Sequence, residues 1–396
     1  MSTKIELSKR VQMIKPSPTV AITGQAIALK AQGKDIISLS VGEPDFDTPE
    51  FVRQSGIDAI NTGKTRYTAL DGTADLKQAI VLKFKRDNDL DYAPEEIVVS
   101  SGAKQAIYNL MQATLNAGDE VLIPAPYWVS YPDMALLAEA TPVIIDGSIE
   151  NRFKITPEQL EAAITPKSRM FILNSPSNPS GMAYTGEELA ALGAVLKKHP
   201  KIIVLSDDIY EHILWSQDRF VNILNVCPEL RDQTLIINGV SKAYAMTGWR
   251  IGYTAGPADI IKAMKKIQSQ STSNACSISQ AAAATALTGD QGCLKTMLKA
   301  FKERHDFVVK RVNEIDGLSC LEGDGTFYAF IDAQAAIDKK EGLESDLDLA
   351  SLLLNEANVA LVPGSAFGTP GCIRMSYATN IETLTKALDR IEKALA

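Results

Sequence analysis

The sequence predicts an α/β protein with a large domain built on a mainly parallel sheet between helices and a smaller α+β domain. Short apolar runs alternate with helical patterns from about 97 to 255, the signature of strands separated by crossover helices. The chemically distinctive residues of this region fall just after the apolar runs, where open sheets form their ligand crevice. Beyond about 279 the character changes to one helical stretch running past His305, followed by strand-like Phe327-Tyr328-Ala329-Phe330-Ile331 and Ile373-Arg374-Met375-Ser376-Tyr377. At 396 residues the chain exceeds the size at which a single core stops growing, so two domains are expected.

Taken in order, Ile97-Val98-Val99-Ser100 reads as a buried strand. Ser101-Gly102-Ala103-Lys104 then opens an amphipathic helix whose free amides suit a phosphate. The strand Met170-Phe171-Ile172-Leu173 leads into a tight loop, Asn174 to Gly181, in which the Asn178 amide can meet a cofactor oxygen and a carboxylate. Ile202-Ile203-Val204-Leu205 ends in Ser206-Asp207-Asp208-Ile209-Tyr210. A carboxylate there can keep a pyridine nitrogen protonated, and Tyr210 can reach the ring's 3-oxygen. Leu235-Ile236-Ile237 precedes Ser241 and Lys242, with Arg250 following; a lysine in that frame suits an imine to a phosphate-bearing aldehyde, pyridoxal phosphate. Each motif has an ordinary reading when isolated: an exposed strand-end lysine, a helix cap with a core tyrosine, a proline turn.

Their number and order carry the case. The chain resembles the fold-type I pyridoxal-phosphate aminotransferases of class I, and within them the bacterial-type aspartate aminotransferases. The matching runs are Val41-Gly42-Glu43-Pro44-Asp45-Phe46, Tyr127-Trp128-Val129-Ser130-Tyr131-Pro132 and Met246-Thr247-Gly248-Trp249-Arg250-Ile251-Gly252-Tyr253. The resemblance extends from about Arg10 to the C-terminus. It implies a seven-stranded mixed sheet and a division into a segment 1–45 that joins the small domain, a large cofactor domain 46–290 and a small domain 291–396. It also implies ping-pong transamination, most readily of L-aspartate with 2-oxoglutarate, with Lys242 as imine partner and general base. The cofactor would be held by Gly102, Ala103, Trp128, Asn178, Asp207, Tyr210, Ser241 and Arg250. Tyr67 would come from the neighbouring subunit, so a homodimer with shared active sites is expected. Gly42, Trp128, Asn178 and Arg374 would bind the substrate, the arginine gripping its α-carboxylate in two parallel bonds.

Two positions depart from the best-known branch. Gly239 stands where that branch has a serine phosphate ligand, and Ser269-Gln270-Ser271-Thr272-Ser273-Asn274 lacks the crossing arginine that holds a distal carboxylate. Relatives with this pattern use lysines, here Lys104 and Lys15, and some also transaminate prephenate, a property connected with Lys15. Alanine, kynurenine or aromatic amino acids are alternative substrates, and a lyase is an alternative reaction on the same scaffold. The sensing domain of a transcription regulator is disfavoured because the match begins near the first residues.

Composition fits a soluble, cytoplasmic enzyme: 45% apolar and 6% aromatic residues exclude disordered and fibrous classes. A net charge of −8 disfavours a nucleic-acid surface and requires anionic ligands to be held by local positive charge. The start Met1-Ser2-Thr3-Lys4-Ile5-Glu6-Leu7 has no apolar signal core, and no run approaches the length of a membrane span. Five scattered cysteines read as reduced core thiols, and His199, His212 and His305 form no metal-ligand pattern.

Overall fold

The computed structural model describes residues 5–396; the first four residues of the expected N-terminal segment lie outside it. Its large unit contains strands β1 (Ile97–Ser100), β2 (Glu120–Ala125), β3 (Thr141–Asp146), β4 (Ser168–Asn174), β5 (Ile203–Asp207), β6 (Thr234–Gly239) and β7 (Gly252–Ala255). They form one sheet in the order β1-β7-β6-β5-β4-β2-β3, in which β7 runs antiparallel to both neighbours and the other pairs are parallel. The central strands read as near-continuous apolar runs because helices cover both faces of the sheet. Val99, Phe171, Val204 and Ile236 pack into one layer, and Val98, Ile172, Leu205 and Ile237 into the opposite one.

Register fixes what the strand ends present. Asn174 pairs with Asp207, Asp207 with Ile237, and Gly239 with Gly252. The carboxyl ends of β4, β5 and β6 are therefore level, and the polar residues that follow open onto one edge.

The smaller unit is an antiparallel sheet of β8 (Ser319–Cys320), β9 (Tyr328–Asp332), β10 (Val362–Pro363) and β11 (Cys372–Ser376), in the order β10-β11-β9-β8. The helices Gly292–Val312 and Ile381–Leu395 bury Phe301, Val308, Leu384 and Leu388 in its core, together with Ile37 and Leu39 from the N-terminal side. The short strand Ile37–Ser38 pairs in parallel with Val359–Ala360. Ile209, Tyr210 and Ile213 of the large unit join the same cluster. The two units thus share a core directly behind the strand ends.

Some local expectations change. The single helical stretch is two helices, Ser277–Thr288 and Gly292–Val312, because the chain turns at Gly289-Asp290-Gln291 between them. Residues 208–213 form turns rather than a helix, so Asp207 is not a helix cap. Cys276 is exposed and Cys293 half-buried; only Cys227, Cys320 and Cys372 are core thiols. Among the described residues no helix is long and apolar enough to cross a membrane.

Candidate active site

Between the two units lies a cleft of about 530 Å³. Gly42, Ala103, Lys104, Trp128, Asn178, Asp207, Tyr210, Ser241, Lys242, Arg250 and Arg374 all line it. Lys242 sits in the turn after β6 and its Nζ donates to the Gly42 carbonyl at 2.5 Å, closing the cleft across the two units. Burial, reinforced by the positive charges of Arg374 and Arg250, lowers its amine to about 8, although Glu43 and Asp207 oppose this. A lysine so tuned is a competent base near neutral pH, which an ordinary surface lysine is not.

Asp207 ends β5 and is 5% exposed. Burial raises its carboxyl to about 6, while hydrogen bonds from the Tyr131 hydroxyl at 2.6 Å and the Ile209 amide, and the charge of Lys242, pull it back toward ionisation. The Asn174 side chain holds this strand end from the next strand. Its Nδ2 donates to the Asp207 carbonyl at 2.9 Å, and its Oδ1 accepts the Asn178 amide at 3.0 Å.

Arg374 lies on β11, 2% exposed, with its guanidinium between the rings of Tyr328 and Phe367 at 4.5 and 4.9 Å. Nη1 donates to Asn178 Oδ1 at 2.9 Å and Nη2 to the Ser40 carbonyl at 2.5 Å. Its Nε is buried with no partner among the described residues. A buried guanidinium with a donor left over is costly in isolation, and a carboxylate is the group whose charge and two oxygens match such a cation in the cleft lining.

At the opposite end, the helix Ala103–Thr114 starts on Gly102, whose φ of 90° is easy only for glycine. A Cβ there would collide with the Arg250 guanidinium, so glycine also permits the close approach of that cation. The Gly102 amide is already given to the Ser100 carbonyl at 2.8 Å. The Ala103 amide has no acceptor among the described residues and remains available. With Ser241 and Arg250 it forms an anion-binding end, so the cleft presents a phosphate cradle, a buried carboxylate, a tuned amine and a buried guanidinium with one donor unpaired among the described residues. That donor set fits pyridoxal phosphate.

The expected Tyr67 and Lys15 stand outside the lining, and Lys104 lies at its exposed edge. Tyr67 is 91% exposed and outside this chain's cleft. Lys15 is exposed and outside the lining, its amide held 3.4 Å from Asp133 Oδ1, while the nearby Ser17, Thr19 and Val20 line the cleft. Lys104 lines it from an exposed position, with Nζ 4.9 Å from the Trp128 ring centre. Conversely, Tyr131, Asn174 and Tyr328 contribute without a role read from the sequence: Tyr131 stands inside a matching run, Asn174 opens a turn, and Tyr328 reads as core in an apolar run.

A partly buried cluster, Asp87, Glu211 and His212, brings three candidate metal ligands together outside the cleft lining. Protein cations already serve it: Lys83 pairs with Glu211, and Arg86 with Asp87.

A family model described as aminotransferase class I and II matches residues 34–391. The aspartate/prephenate aminotransferase of Nitrosomonas europaea is 57% identical over 99% of this chain and 100% of its own length. Among solved structures, the aspartate aminotransferase from Rhizobium meliloti superposes with a TM-score of 0.96 at 48% identity, covering 99% of both chains. The aspartate aminotransferase from Thermus thermophilus with maleate gives 0.93 at 40% identity, covering 99% of this chain and 100% of that one.

Proposed function

This chain belongs to the class I and II aminotransferase family, and we propose that it transfers the amino group of L-aspartate to 2-oxoglutarate, with pyridoxal phosphate as cofactor and in two ping-pong half-reactions. The observation that carries the reading is the convergence of Lys242, Asp207 and Arg374 on one cleft, each buried or half-buried and each electrostatically matched to a partner the chain does not supply. Prephenate is a second acceptor in this proposal, favoured by the name of the relative at 57% identity.

Bound in the cleft, pyridoxal phosphate supplies an aldehyde carbon for the amino group and a pyridinium ring that takes up the electron pair left at the substrate's α-carbon. Ala103, Ser241 and Arg250 would hold its phosphate, Asp207 would keep the ring nitrogen protonated, Asn178 and Tyr210 would bond the ring oxygen, and Trp128 would lie against the ring. Arg374, Asn178 and the Gly42 backbone hold the α-carboxylate and so orient the α-hydrogen. Lys242 takes that proton and returns it on the other side of the transfer. Without ligand, the bonds from Lys242 to Gly42 and from Arg374 to Asn178 bridge the cleft, so the elements that close over a substrate already stand within reach of each other. Lys104 meets the distal carboxylate, in keeping with the dicarboxylate maleate held by the Thermus relative. The working unit is a homodimer in the cytoplasm, with Tyr67 completing the phosphate site of the second copy.

Incubating the pure, cofactor-loaded protein with aspartate and 2-oxoglutarate tests the reading. Glutamate and oxaloacetate in equal amounts support it; ammonia or a cyclised product would replace it with lyase chemistry. Prephenate in place of 2-oxoglutarate tests the second acceptor.

A further inference from the structure

Tyr328 was read from the sequence as one apolar-run residue among five, yet it touches three parts of the cleft. It lies on β9, on the same face as Arg374, which pairs from β11 with Phe330 two residues further on. Its ring carries the Arg374 guanidinium at 4.5 Å. Its hydroxyl lies 2.9 Å from that of Tyr210, with both side chains buried. A Cβ at position 42 would collide with this hydroxyl, so Gly42 leaves it room to meet Tyr210.

We propose that Tyr328 is a positioning residue joining the carboxylate-binding arginine to the tyrosine beside the cofactor's ring oxygen: its ring seats Arg374, and its hydroxyl orients that of Tyr210. This rests on the aminotransferase reading of the cleft. Two phenols sharing one hydrogen bond leave one proton free, and the order of donation decides which. Burial disfavours ionisation of both phenols and the Arg374 charge opposes this at each, while the guanidinium itself rests on the Tyr328 ring. Either hydroxyl can donate at this distance; in the arrangement proposed Tyr328 donates to Tyr210 and leaves the Tyr210 proton for the cleft. The other groups facing the pair are Lys242, with Nζ 5.9 Å from the Tyr210 ring centre and 5.8 Å from that of Phe327, and Asp207, at the end of β5. Neutralising Arg374 with a substrate carboxylate weakens the polarisation of Tyr328. Substrate binding is thereby coupled to proton affinity at the cofactor.

Tyr328→Phe keeps the ring and removes the hydroxyl; Tyr328→Leu removes both. A stronger hydrogen bond from Tyr210 holds more negative charge on the oxygen it meets, so the loaded enzyme gives up its chromophore proton at lower pH. In Tyr328→Phe the pH midpoint of the visible absorbance should rise by about 0.5–1 unit, with KM for aspartate within about twofold of the parent. In Tyr328→Leu, loss of the desolvated cation–π contact should raise KM about tenfold or more. Tyr328→Phe alone decides the matter if the leucine variant does not fold. An unchanged midpoint in Tyr328→Phe, or a KM rise as large as that expected for the leucine variant, overturns the proposal while leaving the aminotransferase reading intact. A parent protein with no pH-dependent absorbance after loading overturns the cofactor reading, and this proposal with it.

Discussion

The hydroxyl of Tyr131 donates to Asp207 Oδ2 at 2.6 Å, from a side chain that is 1% exposed. This bond opposes the burial that raises the Asp207 carboxyl to about 6. Removing it with Tyr131→Phe leaves the carboxylate with less stabilisation, so its midpoint rises further. A hydrogen bond to a charged acceptor is worth about 1.5–3 kcal/mol, or about 1–2 pH units. The acidic limb of the pH profile of cofactor binding should move up by about that amount. A limb that stays in place would detach Tyr131 from the function of Asp207.

The same carboxyl predicts a stability effect in the cofactor-free protein. Its folded value of about 6 lies above the unfolded reference of 3.8, so the folded state binds the proton more tightly. Its contribution to stability is whole below pH 4 and is lost as pH rises through about 6. Asp207→Asn has no such loss. Cofactor-free Asp207→Asn should therefore be more stable than the parent above pH 6, by up to about 3 kcal/mol, with the difference vanishing near pH 4. The neighbouring Asp208, raised to about 7, is common to both proteins and cancels in the comparison. Denaturant titrations at the two pH values measure it, and a pH-independent difference would mean that Asp207 is already paired in the empty protein.

The strand-end positions of Asn174, Asp207 and Lys242 were legible because an apolar run bounded by a sharp polar change marks where a strand leaves a sheet. The antiparallel placement of β7 was not, since periodicity along one strand carries no information about its neighbour's direction. Tyr131 and Tyr328 escaped for a related reason. Tyr131 stands in a matching run without a role of its own and Tyr328 in a run that any core would accept; only the meeting of a phenol with Asp207, or of two phenols across the cleft, gives each a role. Asn174 was visible as a turn residue, whereas its two hydrogen bonds depend on the register that sets β4 beside β5.

Lys242→Ala should lose turnover by about 10⁴-fold or more, since imine partner and proton carrier are the same amine. It also allows a test of shared sites. Tyr67 is 91% exposed and outside its own chain's cleft. If it serves a second copy, mixing inactive Lys242→Ala with an impaired Tyr67→Phe variant creates hybrid dimers in which one site has both native residues. Activity above that of either variant alone is expected. No recovery despite demonstrated subunit exchange would place Tyr67 outside the partner's site.

Lys104 provides the test of substrate choice. No arginine occurs between Arg250 and Arg304, so a crossing guanidinium from that stretch is unavailable to a distal carboxylate. Lys104 follows the anion-binding helix start, with its Nζ over the Trp128 ring at 4.9 Å, and burial together with the charge of Arg250 lowers its pKa. A lysine is a point charge with three rotatable donors, so it accepts a carboxylate over a wider range of positions than the planar arginine fork. Selectivity for dicarboxylates should be real and broad. Because Lys104 is covered enough at its amine for its pKa to fall but keeps much of its surface in solvent, its contact belongs at the lower end of charge-assisted bonds, about 1.5 kcal/mol or about tenfold in kcat/KM. Lys104→Ala should show that loss with aspartate and glutamate and almost none with alanine. Lys15→Ala, changed at a position outside the cleft lining, should lose less with aspartate than Lys104→Ala does and should affect prephenate most. Equal losses for aspartate and alanine in Lys104→Ala would assign this lysine to the cofactor phosphate rather than to the substrate.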